Sequence, residues 1–460
     1  MIQMKLNELC KAVNGELIAG DKGEFKGVSI DSRKIDAGQL FFAIIGERLD
    51  GHQFVESAFE NGGSGAIVER KVDLELKPGQ FMVKVEDTTQ ALQELAHYYR
   101  NKFSDLKVVG ITGSAGKTTT KDMTAAVLSQ KYNTLKTKGN LNNYYGLPLT
   151  LFQLNSEHQV LVVEMGMSNL KEIELLATLA EPQIGIVTNV GYSHLENLKT
   201  IDNVAKAKQE LVENLSGEKI AVLNGDDNRV VEMAELADKV YFYGEREDAE
   251  FRLVDFKEEG LQGSKMDFRA FGTRYSFQLP LPGEHNAYNA LAAIAVGNIL
   301  DMNFADIQQG LMSFEPSAMR MDIQHLDSDI TILNDAYNAN PDSMKASLKV
   351  LSRSEGRNIA VLGDMLELGE YAEESHREIG QFAAQLGIDQ IIVKGEFKDI
   401  VADGAKQVGY TGDKVTTYQD NQGIIEKLNA IIQPGDTILI KGSRGMAMEG
   451  IVDAIAGKED

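Results

Sequence analysis

Three packed α/β units in one chain are what the sequence predicts: a small N-terminal module, a central unit on a parallel sheet with a phosphate-binding loop, and a C-terminal unit of Rossmann-like order. Three observations carry this. The chain has 460 residues, which at roughly 100–200 residues per domain asks for about three cores. Short β-rich runs alternate with helical stretches over most of its length, the order that builds a parallel sheet covered by helices. One of those runs ends in Gly113-Ser114-Ala115-Gly116-Lys117-Thr118-Thr119 directly before a helix start, the arrangement in which backbone N–H groups converge on phosphate oxygens.

The elements follow in order. Residues 1–84 mix β-rich runs at 28–30, 40–45 and 65–69 with helical stretches near 5–13 and 52–61, a small α/β module. The second unit spans 85–315. It opens on a helix-like segment at 88–103 and the strand LKVVGIT, and strand-like runs recur at 159–164, 184–188, 219–223 and 240–243. From about 250 to 281 the spacing tightens into shorter polar/apolar strands, expected to form an antiparallel annex. Residues 316–460 restart the alternation with ITILNDA, NIAVLGDM, QIIVKG and DTILIKGS, the third unit.

Composition narrows the function. Hydrophobic residues make 43% and charged residues 25%, an ordinary globular balance. A net charge of −23 is the reverse of the basic footprint of a nucleic-acid binder, so any polyanionic substrate needs a local positive site. The single cysteine, Cys10, excludes internal disulfides and a zinc site built on several cysteines. The N-terminal run MIQMKLNELC lacks the apolar core of a signal peptide, and no apolar run approaches the roughly 20 residues of a membrane span. A cytoplasmic monomer without membrane or nucleic-acid partners is expected.

In the glycine-rich loop, Lys117 is placed to neutralise β/γ-phosphate charge and the Thr118 hydroxyl to hold Mg²⁺. The common GxxxxGK[ST] spacing would put glycine at 111, which is Ile111; Gly110 and Gly113 stand nearby. The bland alternative is a lysine-bearing helix cap. No Asn-Lys-x-Asp guanine reader occurs, and Thr188-Asn189-Val190-Gly191 fills a comparable strand end. Glu164 closes the strand QVLVVE, facing the crevice where a hard cation finds oxygen. Alone, it is equally a solvated strand-end carboxylate, and His194 a surface or packing histidine. Lys208 shares a helical stripe with Ile201, Val204, Leu211 and Leu215. Such a lysine is paired, modified, or snorkelling to the edge.

Together these residues resemble the Mur ligase family, ATP-dependent amide-forming enzymes of peptidoglycan precursor synthesis, and the resemblance covers all three units. It implies an N-terminal UDP-sugar-binding domain, a central ATP-binding domain and a C-terminal ligase domain. Thr112 to Thr120 is similar to the family's ATP loop, with Ala115 where asparagine is usual. Glu164, His194 and Lys208 match its Mg²⁺ site, in which the lysine is carbamylated. The segment His285-Asn286-Ala287-Tyr288-Asn289 resembles the adenine side, with Asn286 and Asn289 as contacts; read alone it is a capped helix start. Arg320 resembles the hinge arginine that reaches ATP phosphate on domain closure, and Asp335 the acidic residue near the ribose.

Other segments agree with one branch of the family, implying UDP-MurNAc-tripeptide as acyl donor and D-Ala-D-Ala as amine. Asp31-Ser32-Arg33 with Asp50-Gly51-His52 resembles its UDP-sugar module, Ser32 and Arg33 being the expected contacts. Lys138-Gly139-Asn140-Leu141-Asn142-Asn143 resembles a substrate-holding loop using Asn140 and Asn143, with Tyr144 replacing the usual glutamate. Tyr337, Asn338 and Asn340 in NDAYNANP, and Lys441, Ser443 and Arg444 after the last strand, are the remaining substrate candidates. The implied reaction is carboxylate phosphorylation followed by amine attack. Sister ligases adding the third peptide residue, folylpolyglutamate synthetases, and a non-catalytic nucleotide switch are the rival readings.

Overall fold

The computed structural model describes residues 1–327 and 329–457. Three separate large sheets organise the chain. The first has five strands in the order Glu16–Ala19, Phe81–Lys84, Gly65–Val68, Leu40–Phe42, Val28–Ser29, with only the Glu16–Ala19 edge antiparallel. The strand expected over 40–45 stops at Phe42. The chain start is tied to the central unit, where the Ile2 N–H donates to the Phe152 carbonyl. One apolar cluster accordingly runs from Ile2 and Phe25 through Leu92 and Leu95 to Leu147 and Leu161.

The central sheet has nine strands, ordered Thr273–Leu279, Ser264–Ala270, Phe251–Glu258, Lys239–Gly244, Ile220–Asn224, Ile184–Val187, Lys107–Thr112, Val160–Glu164, Thr134–Lys136. Its inner parallel strands are mostly apolar and feed both faces, as a covered parallel sheet requires: Val108, Leu161 and Val187 point into one core, Val109, Val162 and Ile186 into the other. The expected annex is corrected in two respects. Its strands run seven to eight residues, longer than the parallel ones, and Phe251–Glu258 pairs in parallel with Lys239–Gly244, so they extend the same sheet. Their polar/apolar alternation buries one face only, as in Ser264–Ala270, which made them look like short pieces.

The third sheet runs Asp322–Leu326, Ile330–Asp335, Thr437–Lys441, Asn358–Leu362, Gln390–Lys394, Val415–Tyr418. All but the first strand are parallel, and helices cover both faces through two separate clusters. The last strand inserts between the second and third, so the order departs from the classic doubly wound 3-2-1-4-5-6. Between the second and third sheets, Ser317 donates to the buried carboxylate of Asp122 at 2.6 Å, which also accepts from Lys136. This fixes the connecting segment just ahead of Arg320.

Candidate active site

The strand Lys107–Thr112 lies between Val160–Glu164 and Ile184–Val187. The chain leaves it first toward one sheet edge and later returns on its other side, so its carboxyl end is a switch point where a ligand crevice opens. Helix Lys117–Leu128 starts there behind Gly116, whose φ of +80° is left-handed. The Lys117 ammonium donates to the Gly113 carbonyl at 2.7 Å, folding the side chain back over the loop. Burial pushes it below the usual lysine range, with Glu164 opposing and Arg320 adding to the shift. Asn189 Oδ1 accepts from the Ser114 and Ala115 N–H groups at 3.1 and 2.8 Å, and the Thr188 hydroxyl donates to the Ala115 carbonyl at 2.6 Å. A Cβ on Gly116 would stand 2.5 Å from Asn289 Oδ1 in a region costing an L-residue about 1–2 kcal/mol. The loop would relieve this by moving its N–H groups, so Gly116→Ala is expected to weaken ATP binding about tenfold. Calorimetric titration giving wild-type affinity would refute that tight fit.

Beside the loop, the Thr118 hydroxyl donates to Glu164 Oε2 and Asn142 Nδ2 donates to Glu164 Oε1, both at 2.8 Å. Glu164 is 2% exposed and its backbone N–H is held by Thr137. Helix Ile201–Glu213 brings Lys208 to 1% exposure. Burial, with the like charge of Lys117 added, drives its pKa well below the usual lysine range. Among the described residues no three histidine, cysteine, aspartate or glutamate side chains converge as a metal site. The oxygens of Thr118 and Glu164 suit a hard cation such as Mg²⁺; unmodified, Lys208 brings no oxygen to it. His194 does not reach this group through Nδ1, which instead donates to Glu367 Oε2 at 2.6 Å.

The loop floors a cavity of about 530 Å³ whose other walls come from helix Glu284–Ile299 and the third unit. Asn286 and Asn289 are buried on that helix. Asn286 donates to the Pro282 carbonyl at 2.7 Å, Asn289 donates to Asn286 Oδ1 at 3.2 Å, and Thr120 donates to Asn289 Oδ1 at 3.1 Å. His285 lines the same wall, its imidazole held down at about 4 by burial. From the third unit, Arg320 lies 4.0 Å over the Tyr337 ring, between Met319 and Met321, both at positive φ. Asp335 accepts from the Met321 N–H at 3.1 Å, from Ser347 at 2.6 Å and from the Lys441 ammonium. Asn340 caps helix Pro341–Ser352 by accepting from Ser343 N–H, while its own amide donates to the Ser114 carbonyl at 3.2 Å. That bond ties the third unit to the phosphate loop.

Of the remaining expected residues, Asn338 lines the cavity beside Tyr337 and Lys441, and the others lie outside it. Asn143 is spent just ahead of helix Gly146–Leu151, its side-chain oxygen accepting from the Tyr145 and Gly146 N–H groups, and Asn140 is exposed. Ser32 is buried in a short 3₁₀ turn and Arg33 forks onto Asp31 at the surface. Ser443 is buried against the Leu366 N–H, and Arg444 pairs with Glu449. Asn142, Asn189 and Glu367 were not singled out as site residues from the sequence. Asn142 sits in the quoted asparagine run and Asn189 at the strand end tested only for guanine reading; Glu367 carried no signal.

A phosphate loop at a parallel-sheet switch point, closed over by a separate α/β unit, defines a nucleotide-binding enzyme of several domains. Three family models match the chain: the Mur ligase family catalytic domain over 24–100, the Mur ligase middle domain over 111–297, and the Mur ligase glutamate ligase domain over 319–444. UDP-N-acetylmuramoyl-tripeptide–D-alanyl-D-alanine ligase of Bacillus subtilis is 37% identical over 98% of both chains, and that of Escherichia coli 35% over 99% of both. The crystal structure of MurF from Acinetobacter baumannii superposes over 100% of both chains with a TM-score of 0.91 at 31% identity. A MurF ligase from Thermotoga maritima in complex with ADP gives 0.82 at 28%, over 94% of this chain and 97% of that one. A folylpolyglutamate synthase of Mycobacterium tuberculosis shares the fold alone, at 18% identity. The chain belongs to the Mur ligase family.

Proposed function

We propose that the chain joins D-Ala-D-Ala to UDP-MurNAc-tripeptide at the expense of ATP, in cytoplasmic peptidoglycan precursor synthesis. The observation that carries this reading is the cavity where the phosphate loop faces helix Pro341–Ser352, joined by the Asn340–Ser114 bond. Full-length likeness to ligases of that name supports the choice of substrates. The proposed division is 1–84 for the UDP-sugar, 85–315 for ATP and 316–460 for closure and the amine.

In the first step a tripeptide carboxylate oxygen attacks the γ-phosphorus of ATP and ADP leaves. In the second the D-Ala-D-Ala amine attacks the acyl carbon, the C–O bond breaks, phosphate leaves and the amine proton passes to solvent. No enzyme nucleophile is required, so the residues work by placement and charge. Backbone N–H groups of Gly113 to Thr119 cradle the phosphates, and Lys117, swung from Gly113, meets the γ-phosphate. Asn286 and Asn289 face the adenine, Asp335 lies at the ribose side, and Arg320 supplies positive charge from the closing unit. Mg²⁺, when bound, neutralises phosphate charge and polarises the γ-phosphoryl group. Thr118, Glu164, His194 and a carbamylated Lys208 would hold it. Ser32 and Arg33 serve the UDP moiety; Asn140, Asn143, Tyr337, Asn338, Asn340, Lys441, Ser443 and Arg444 serve the peptide substrates.

Phosphate release from ATP is expected only with both substrates present, with a product heavier by one D-Ala-D-Ala less water. Release needing neither would replace the ligase with a nucleotide switch.

A further inference from the structure

Away from the cavity, a second contact joins the central and C-terminal units. His194 Nδ1–H donates to Glu367 Oε2 at 2.6 Å, and the Glu196 N–H donates to the Glu367 carbonyl at 3.0 Å. The rings of Tyr192 and Tyr371 stack with centroids 5.2 Å apart and 23° between planes. Gly369 is so close that a Cβ there would lie 3.3 Å from the Leu195 carbonyl oxygen. His194 and Glu367 both hold left-handed backbone, at φ 56° and 65°. Non-glycine residues stay in that region, at about 1–2 kcal/mol each, only where the surroundings fix them. An exposed ion pair alone contributes under about 1 kcal/mol; two hydrogen bonds, a ring stack and two fixed backbones make a built contact.

We propose that Glu367 is a positioning residue for His194. By accepting Nδ1–H, its carboxylate fixes the ring's orientation and the tautomer in which Nε2 keeps its lone pair, the atom a divalent cation needs. This rests on the reading of His194 as a metal ligand. Glu367 stands on the C-terminal unit while Thr118 and Glu164 stand on the central one. Cation binding and docking of the C-terminal unit are therefore linked, each strengthening the other by the same factor.

The test uses Mn²⁺ as probe, titrated into the full chain with a non-hydrolysable ATP analogue and followed by electron paramagnetic resonance. Glu367→Ala is expected to weaken Mn²⁺ binding about tenfold. Glu367→Gln, whose amide oxygen still accepts from Nδ1–H, recovers most of that loss. Once His194→Ala is present, adding Glu367→Ala costs nothing further. In parallel, Mn²⁺ shifts the distance between dyes on the two units in wild type and not in Glu367→Ala. Wild-type Mn²⁺ affinity in Glu367→Ala alongside weakened binding in His194→Ala overturns the positioning role and leaves the ligand reading standing. Wild-type affinity in His194→Ala overturns the ligand reading and the positioning role with it. Additive losses in the double variant also overturn the proposal, since Glu367 would then act independently of His194.

Discussion

Replacing Lys117 with methionine is expected to lower the rate of ADP formation by about 10²–10³-fold while the thermal midpoint stays within a few degrees. The magnitude is that of removing one preorganised charge from a developing phosphoryl centre. The stability expectation follows from the lysine's surroundings. Its ammonium is pushed below its ordinary pKa by burial and makes one hydrogen bond, to the Gly113 carbonyl, so an apolar chain of similar length relieves desolvation as it forfeits that bond. Loop geometry survives through bonds that do not involve Lys117: Asn189 to Ser114 and Ala115, and Thr188 to Ala115. Steady-state ADP release beside a melting curve separates the outcomes. Turnover at the wild-type rate would remove Lys117 from the chemistry, and a collapse of the midpoint would make it a structural residue.

The loop was legible because its signal is local: glycine, lysine and threonine within eight positions, between an apolar run and a helix. Lys208 was legible for a related reason, since a charge inside a 3.6-residue apolar stripe is anomalous before any fold is known; the structure buries it instead of letting it snorkel to the edge. Contacts across sheet and units were not legible. Asn189 reaches Ser114 from just past the end of strand Ile184–Val187, 75 positions away, and Glu367 meets His194 across 173; no periodicity encodes such meetings. Asn142 and Asn143 show the same limit at short range. Both are amides in one run, yet Asn142 turns inward to Glu164 while Asn143 is spent on Tyr145 and Gly146 N–H. Which amide faces the site depends on where the following helix starts, and composition does not record that.

Lys208→Met is expected to lose activity by about 10²–10³-fold while melting no lower than the parent, an opposition that separates a functional lysine from a structural one. An unmodified ammonium at this depth costs stability. Its folded pKa lies well below the unfolded 10.5, so between those two values the unfolded chain binds the extra proton, and stability rises with pH across that window. Methionine fills similar volume without the charge and removes that slope. The depressed pKa also gives the chemistry its opening. A neutral amine can attack CO₂ through its lone pair and release a proton, giving a carbamate whose oxygens would join those of Thr118 and Glu164. Activity of the parent should therefore fall when CO₂ and bicarbonate are stripped from the buffer and return on their addition, more readily at higher pH where more amine is neutral. Lys208→Met should ignore bicarbonate altogether. If the parent loses nothing in CO₂-free buffer and its intact mass shows no CO₂ adduct, the carbamate is wrong and the buried amine serves the site in another way.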